Sequence, residues 1–323
     1  MQLGIEALFE PWGDIAPDGK TLVYATIGQE LFLIGADGTG ERALSGGTND
    51  YAPVWSPNGR ELAFISAREF NQHGHCAYVM NVATGACRRL MDSDRNNLES
   101  HVLWSPDGSR LAIKRKYSGG VRVVSAKGGA SWESAATASE LIDWLPGSAY
   151  LLLGFWEEGA RGIWIYPASA GGTPALPEQK DVPMPGRFCR NSLSPDGRHL
   201  LFLTGSATHA SISVLDRLTR KVMQLTSGEA SASQPSWSAD GKKIAFVQSG
   251  GIHVMCADGS QKRSITPLGG YYDYPRWLPN GKKIVFVGHS TQGYDLYAAD
   301  TDQGKIQKLT KNGGVGRRYS MFR

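Results

Sequence analysis

Trp104-Ser105-Pro106-Asp107-Gly108 decides the fold, because the phrase recurs along the chain. Close copies are Trp55-Ser56-Pro57-Asn58-Gly59, Leu193-Ser194-Pro195-Asp196-Gly197, Trp237-Ser238-Ala239-Asp240-Gly241 and Trp277-Leu278-Pro279-Asn280-Gly281. Two weaker copies complete the series: Ile15-Ala16-Pro17-Asp18-Gly19, and Trp144-Leu145-Pro146-Gly147, which lacks the Asp or Asn. Counted at the proline position, successive copies lie 40 to 49 residues apart. Proline presets φ for the first corner of a turn, and the Asp-Gly or Asn-Gly that follows tolerates positive φ, so each phrase joins two antiparallel strands.

Working outward, each turn leads into a short apolar run such as Leu62-Ala63-Phe64-Ile65, Leu200-Leu201-Phe202-Leu203, Ile244-Ala245-Phe246-Val247 or Ile284-Val285-Phe286-Val287. Runs of this kind fit strands covered on both faces. A third strand follows (Tyr78-Val79-Met80, Ile212-Ser213-Val214, Ile252-His253-Val254), and then a fourth that ends in Arg89-Leu90, Gln224-Leu225-Thr226 or Lys308-Leu309-Thr310. Four short strands repeating with this period predict an all-β chain. The expected architecture is a seven-bladed β-propeller of four-stranded antiparallel blades, with residues 1–323 forming one domain. A six-bladed version follows if Pro17 or Pro146 marks something other than a blade. The tryptophans that open the phrases share one blade position and are expected in the packing between blades.

Composition agrees, with 41% hydrophobic residues, 20% charged residues and a heavy load of turn formers in 40 Gly and 16 Pro. A net charge of +4, scattered rather than blocked, gives no footprint for nucleic acid or an anionic membrane. No apolar window is long enough for a membrane helix, and the N-terminal residues do not read as a signal peptide. A soluble protein is expected, cytoplasmic if the N-terminus is native and periplasmic or secreted if a leader was removed; a monomer is expected as well. Cys76, Cys87, Cys189 and Cys256 lack zinc-site spacing and read as buried or half-buried thiols.

The Trp-Ser-Pro-Asp-Gly phrase together with the Leu-Thr strand ending resembles the WD-like propeller repeat of TolB and its relatives, which include the propeller domains of dipeptidyl-peptidase-like proteins. The resemblance covers roughly residues 10 to 323 and implies the fold far more than the function. The Gly-x-Ser-x-Gly elbow of a fused peptidase domain does not occur in the chain, nor does the α/β domain that precedes the propeller in TolB, so a stand-alone propeller is expected. Gly313 to Phe322 aligns with Gly46 to Trp55 and looks like another first strand, able to close the opening blade. Leu8 to Trp12 compete for the same slot.

Alternating strand directions put the Pro-Asp-Gly turns at one end of the blades, and the first-strand entry loops with the second-to-third-strand loops at the other. The second end carries the candidate ligand-binding residues: Glu69, His73, His75, Glu99, His101, Arg187, Arg190, Tyr272, Asp273, Tyr274 and Arg318. Asn49, Asp50, Tyr51, Glu140, Glu229, Gln234, Tyr271, His209 and His289 belong to the same end. Aromatics among a few polar groups suit a peptide, sugar or other small ligand, and Arg187 with Arg190 is suited to a carboxylate or phosphate. His253, inside a strand, and His199, beside a turn, read as structural.

Two functions stay open. One is a binding or scaffold propeller that captures a peptide, a protein segment or a small ligand around a central channel. The other is a lyase, hydrolase or cyclase in which these histidines and carboxylates do acid–base or metal chemistry. Oligogalacturonate lyases of similar architecture hold a divalent metal on histidines, and the resemblance extends that alternative to His73, His75, His101, His209 and His289; the spacing alone does not select a metal. A third idea is a propeller that gates a separate peptidase.

Overall fold

In a computed structural model, the structure describes residues 13–26, 28–46, 49–69, 74–90, 99–115, 120–129, 131–133, 140–157, 160–168, 186–206, 208–227, 230–267, 269–290, 293–311 and 315. Of these, the side chains of 99–100, 131–133, 140, 155–157, 160–161, 164, 186–191 and 290 are outside the description.

The described secondary structure consists of strands. Blade 1 holds β1 (Gly13–Ile15), β2 (Thr21–Ala25), β3 (Leu31–Gly35) and β4 (Arg42–Ala43); blade 2 holds β5 (Asp50–Trp55), β6 (Glu61–Ser66), β7 (Cys76–Asn81) and β8 (Cys87–Arg89). Blade 3 holds β9 (Glu99–Trp104), β10 (Arg110–Arg115), β11 (Val121–Ser125) and β12 (Ser131–Glu133). Three strands are described in blade 4: β13 (Glu140–Trp144), β14 (Tyr150–Glu157) and β15 (Ala160–Pro167). Blade 5 follows with β16 (Gly186–Leu193), β17 (His199–Thr204), β18 (Ser211–Asp216) and β19 (Val222–Gln224), and blade 6 with β20 (Ala232–Trp237), β21 (Lys243–Gln248), β22 (Gly251–Cys256) and β23 (Arg263–Ser264). Blade 7 closes the series with β24 (Tyr272–Trp277), β25 (Lys283–Ser290), β26 (Gly293–Asp300) and β27 (Ile306–Lys308). All seven turn phrases therefore mark blades, and the six-bladed alternative falls because Pro17 and Pro146 join β1 to β2 and β13 to β14 like the rest.

The described residues separate into two compact units. One contains blades 1 to 3 with 289–297 and the segment from Lys308 onward; the other contains blades 4 to 6 with the earlier part of blade 7 and 298–307. In the first, a cluster of Ala16, Val23, Leu33, Trp55 and Leu62 joins blades 1 and 2, and another around Ala63, Ile65, Val102, Leu111 and Ile113 joins blades 2 and 3. In the second, Leu201, Ile212, Val214, Ile244 and Phe246 join blades 5 and 6. Phe64, Phe202, Phe246 and Phe286 hold the same place in their second strands and are fully buried, each contributing about 1.5–3 kcal/mol.

The repeated phrase is a hydrogen-bonded unit. Ser105 Oγ donates to Asp107 Oδ1 at 2.6 Å and accepts from the Arg110 amide at 3.0 Å. Ser238 does the same with Asp240 and Lys243 at 2.6 and 2.9 Å. The serine thus satisfies the first amide of the second strand while holding the turn carboxylate. The tryptophan reaches back one blade: the indole of Trp104 donates to Val54 O, and that of Trp237 to Ser192 O. The Leu-Thr ending has an equally concrete job. Oγ1 of Thr226, Thr266 and Thr310 accepts from the amides of Ile212, Ile252 and Leu296, each 14 residues earlier in the third strand, at 2.9 to 3.0 Å.

Because the serine hydroxyl bonds favour the charged form, the Asp107 carboxyl is held at about 2, and Asp196 and Asp240 are also lowered, each first of all by its own serine. Groups with a depressed folded value stabilise the fold above their unfolded value, near 4, and lose that contribution as pH falls through the folded one. Stability measured by urea melts should therefore fall between about pH 4 and pH 2. In Ser105→Ala the Asp107 resonance should titrate at higher pH, and a wild-type-like titration would refute the serine's role.

Closure of blade 1 involves the C-terminal segment. Val315 bridges Thr26 in antiparallel sense, beyond the last pairing of β1 with β2, and its amide donates to Tyr294 O at 3.0 Å. The competing Leu8–Trp12 segment lies outside the described residues. Among the thiols, Cys76 is buried and Cys256 half-buried as expected, but Cys87 is exposed, because outer strand β8 has no fifth strand to cover it. Among the described residues no helix is long and apolar enough to cross a membrane.

Candidate functional site

Sequence polarity suggested loops at the entry to each first strand; the structure places many of those residues in the strands themselves. Asp50 and Tyr51 open β5, Glu99 and His101 lie in β9, Arg187 and Arg190 in β16, and Tyr272, Asp273 and Tyr274 in β24. His101 is half-buried opposite Lys114, not a free loop histidine. The side chains of Glu99, Arg187 and Arg190 are outside the description, as are residues His73 and Arg318 altogether.

On blade 2 the candidate acids and bases are tied into structural pairs. Asp50 is fully buried and accepts from Arg68 Nη2 at 2.9 and 3.2 Å. The Arg68 guanidinium lies over the rings of Phe64 and Tyr78, 5.3 and 4.7 Å from their centroids. Glu69 takes a 2.5 Å ion pair from Arg89. Burial, reinforced by the Glu69 carboxylate, pushes the Tyr78 hydroxyl up to about 12. Partial shielding of the sulfur by the surrounding chain raises the Cys87 thiol, against the pull of Arg68, so this cysteine is not a primed nucleophile even though part of it is exposed. His75 meets Tyr51 Oη through Nδ1 at 2.8 Å, ring edge to ring face.

Blades 6 and 7 hold a different arrangement. In β20 and β24 the register slips at Gln234 and Tyr274, and each of these residues takes a left-handed conformation, φ 51° and 54°, directly before a proline. Blade 2 repeats the feature at Ala52 before Pro53, φ 52°. A residue preceding proline is driven toward extended backbone, so these are strained positions at bulges that re-aim side chains. The Gln234 side chain helps hold the strain: Oε1 accepts from the Tyr274 amide at 2.5 Å, and Nε2 donates to Asp273 Oδ1 at 3.2 Å. Two residues on, Ser236 Oγ donates to Pro275 O at 2.8 Å. Tyr272 packs edge-on against Phe286, while Tyr271 is 72% exposed. The structure thus brings Gln234, Asp273 and Tyr274 together. Their signal was present in the sequence as a proline two residues before the tryptophan, in Ala52-Pro53-Val54-Trp55, Gln234-Pro235-Ser236-Trp237 and Tyr274-Pro275-Arg276-Trp277.

The other described histidines have partners of their own. His209 is exposed and bonded to Thr208, His289 packs on Tyr294, and His199 lies 3.9 Å from Asp216. Among the described residues no group of three or more His, Cys, Asp or Glu could hold a metal ion.

Strand order, repeat chemistry and blade count define a seven-bladed β-propeller. Residues 179–317 match the TolB beta propeller domain. Dipeptidyl-peptidase 5 of Porphyromonas gingivalis is 26% identical over 92% of this chain, which spans about half (47%) of that peptidase's length. Among solved structures, an oligogalacturonate lyase in complex with manganese superposes with a TM-score of 0.70 at 14% identity, covering 91% of this chain and 90% of that one. TolB from Acinetobacter baumannii gives 0.56 at 17% identity, covering 94% of this chain and 66% of that one. At these identities the structural likenesses carry the fold alone.

Proposed function

We propose that residues 1–323 act as one propeller domain whose role is binding, and that the strand-entry end of blades 6 and 7 captures a peptide or an extended protein segment. The observation that carries this reading is the pair of left-handed residues before Pro235 and Pro275, clasped by the Gln234 side chain. A fold keeps such strain where it fixes a functional surface. Here it presents the exposed Tyr271 beside Asp273, an aromatic anchor next to a hydrogen-bonding carboxylate. The acids and bases of blade 2 favour binding as well, since Asp50, Glu69 and His75 are held by Arg68, Arg89 and Tyr51.

A library of short peptides screened by fluorescence anisotropy tests the reading. Tyr271→Ala, at an exposed position, should leave the melting temperature unchanged and weaken a bound peptide about tenfold or more, roughly 1.4 kcal/mol or above. Gln234→Ala should weaken the same peptide and also lower stability. Binding indifferent to both variants would refute the site.

An enzymatic reading is favoured by one observation, the 2.8 Å contact of Tyr51 with His75, and by the manganese complex of the lyase-like fold. It calls for melts with Mn²⁺, Ca²⁺ and Zn²⁺: stabilisation lost in His75→Ala would put a metal-dependent activity ahead of peptide capture.

A further inference from the structure

Blade 6 carries, at the same strand-entry end, a recess of about 220 Å³ whose lining does not include Gln234, Tyr271, Asp273 or Tyr274. We propose that this cleft, lined by Ser227, Gln248, Ser249, His253, Lys262 and Pro267, binds a small carboxylic acid bearing a hydroxyl or ammonium group beside its carboxylate.

The walls are preorganised. β21 turns into β22 through Ser249 and Gly250, both with positive φ (50° and 73°), a type I′ hairpin that fixes the Ser249 side chain. A Cβ at Gly250 would come within 2.7 Å of Gly270 O, and the Gly250 carbonyl accepts from the Tyr272 amide at 2.8 Å, so the hairpin is locked in place. On the other side, Gln248 Nε2 donates to Ala230 O at 2.8 Å.

Lys262 and the hydroxyls of Ser227 and Ser249 have no hydrogen bond or ion pair among the described residues. His253 stacks on Phe246 at 5.5 Å and bonds through its ring to the backbone of Gln248. Burial first, with the charge of Lys262 adding to it, holds His253 below its ordinary value. Near neutral pH it is an uncharged imidazole: the nitrogen facing Gln248 carries the proton, and the other offers a lone pair. Among the described side chains the cleft therefore presents one positive charge, two hydroxyls, the Gln248 amide and the His253 lone pair.

That set matches a monoanion. A carboxylate pairs with Lys262 and takes hydrogen bonds from the serines. A bare carboxylate edge against the His253 lone pair would be repelled, so the atom placed there must be a donor, an adjacent hydroxyl or ammonium. The recess has room for a ligand of about the size of an amino or hydroxy acid. Pro267 and Ala230 give an apolar wall for its short aliphatic part.

The test is an NMR titration near neutral pH that follows the His253 ring resonance, assigned with His253→Gln, against lactate, alanine and propionate. Lactate or alanine should shift the resonance saturably, and which of them does so tells a hydroxy acid site from an amino acid site. Propionate, lacking the donor, should bind about tenfold more weakly, and Lys262→Met should weaken the better ligand by about tenfold or more without altering the melting temperature. No saturable shift from either acid, equal affinity for propionate, or full binding by Lys262→Met would each overturn the proposal.

Discussion

Asp50→Ala should lower the free energy of unfolding by about 3–5 kcal/mol in urea or thermal melts, because it strands a cation. Asp50 has no exposure, and its partner Arg68, 22% exposed, lies beside the stacked rings of Phe64 and Tyr78, which cover part of the guanidinium. The attraction within such a pair need not exceed the desolvation of its members, yet removing one member leaves the other uncompensated. The double variant Asp50→Leu/Arg68→Met is accordingly expected to recover most of the loss, since it removes both charges and keeps apolar volume against the two rings. A loss under about 1 kcal/mol in the single variant, or a double variant no better than Asp50→Ala, would show that the pair is solvated and marginal.

Asp50 also shows where the sequence misleads. At the head of an apolar run, beside Asn49 and Tyr51, a carboxylate reads as a wet loop; its counter-ion is 18 residues away across the β5–β6 hairpin, and only the register of Asp50 with Ser66 brings Arg68 to it. What is legible is local. The serine, proline, aspartate and glycine of each phrase interact within five residues, so the turn, the strands on either side and the blade count follow from the string itself. The Leu-Thr ending is recognisable as a strand end, but the reason for the threonine, an amide 14 residues back, requires the third and fourth strands to be paired first.

The site divides in the same way. Gln234, Asp273 and Tyr274 were on the right end of their blades, yet Gln234 holds the Tyr274 amide 40 residues later, a relation created by bulges that strand periodicity does not reveal. His253 reads as a strand histidine and is one; what the sequence hides is that Ser227 and Lys262, from segments before β20 and before β23, line the same recess. Of the histidines expected at this end, His75, His209 and His289 have partners within their own blades, which the sequence alone does not give.

Gly197→Ala should destabilise the chain by about 3 kcal/mol, and Gly241→Ala by only about 1–2 kcal/mol, although both glycines occupy the same turn position with nearly the same φ, 73° and 68°. The left-handed backbone penalises alanine alike in both. The difference comes from the neighbouring blade, whose turn proline packs against the glycine: a Cβ on Gly241 would sit 3.7 Å from Pro195 Cδ, an ordinary contact, whereas one on Gly197 would lie 2.6 Å from Pro146 Cδ and 2.9 Å from its Cγ. A pyrrolidine ring cannot swing away as a long side chain could, and Arg217 holds the turn through its hydrogen bond to Gly197 O, so the overlap must be relieved by moving the blade 4 and blade 5 turns apart. Blade 4 is also where the phrase has lost its Asp or Asn, so that the Pro146 turn lacks the side-chain oxygen that stiffens its counterparts. Parallel melts of the two variants and wild type measure the gap directly. Equal losses would mean that the Pro146 turn yields freely and that conformational strain at glycine, not contact between successive turns, sets the cost.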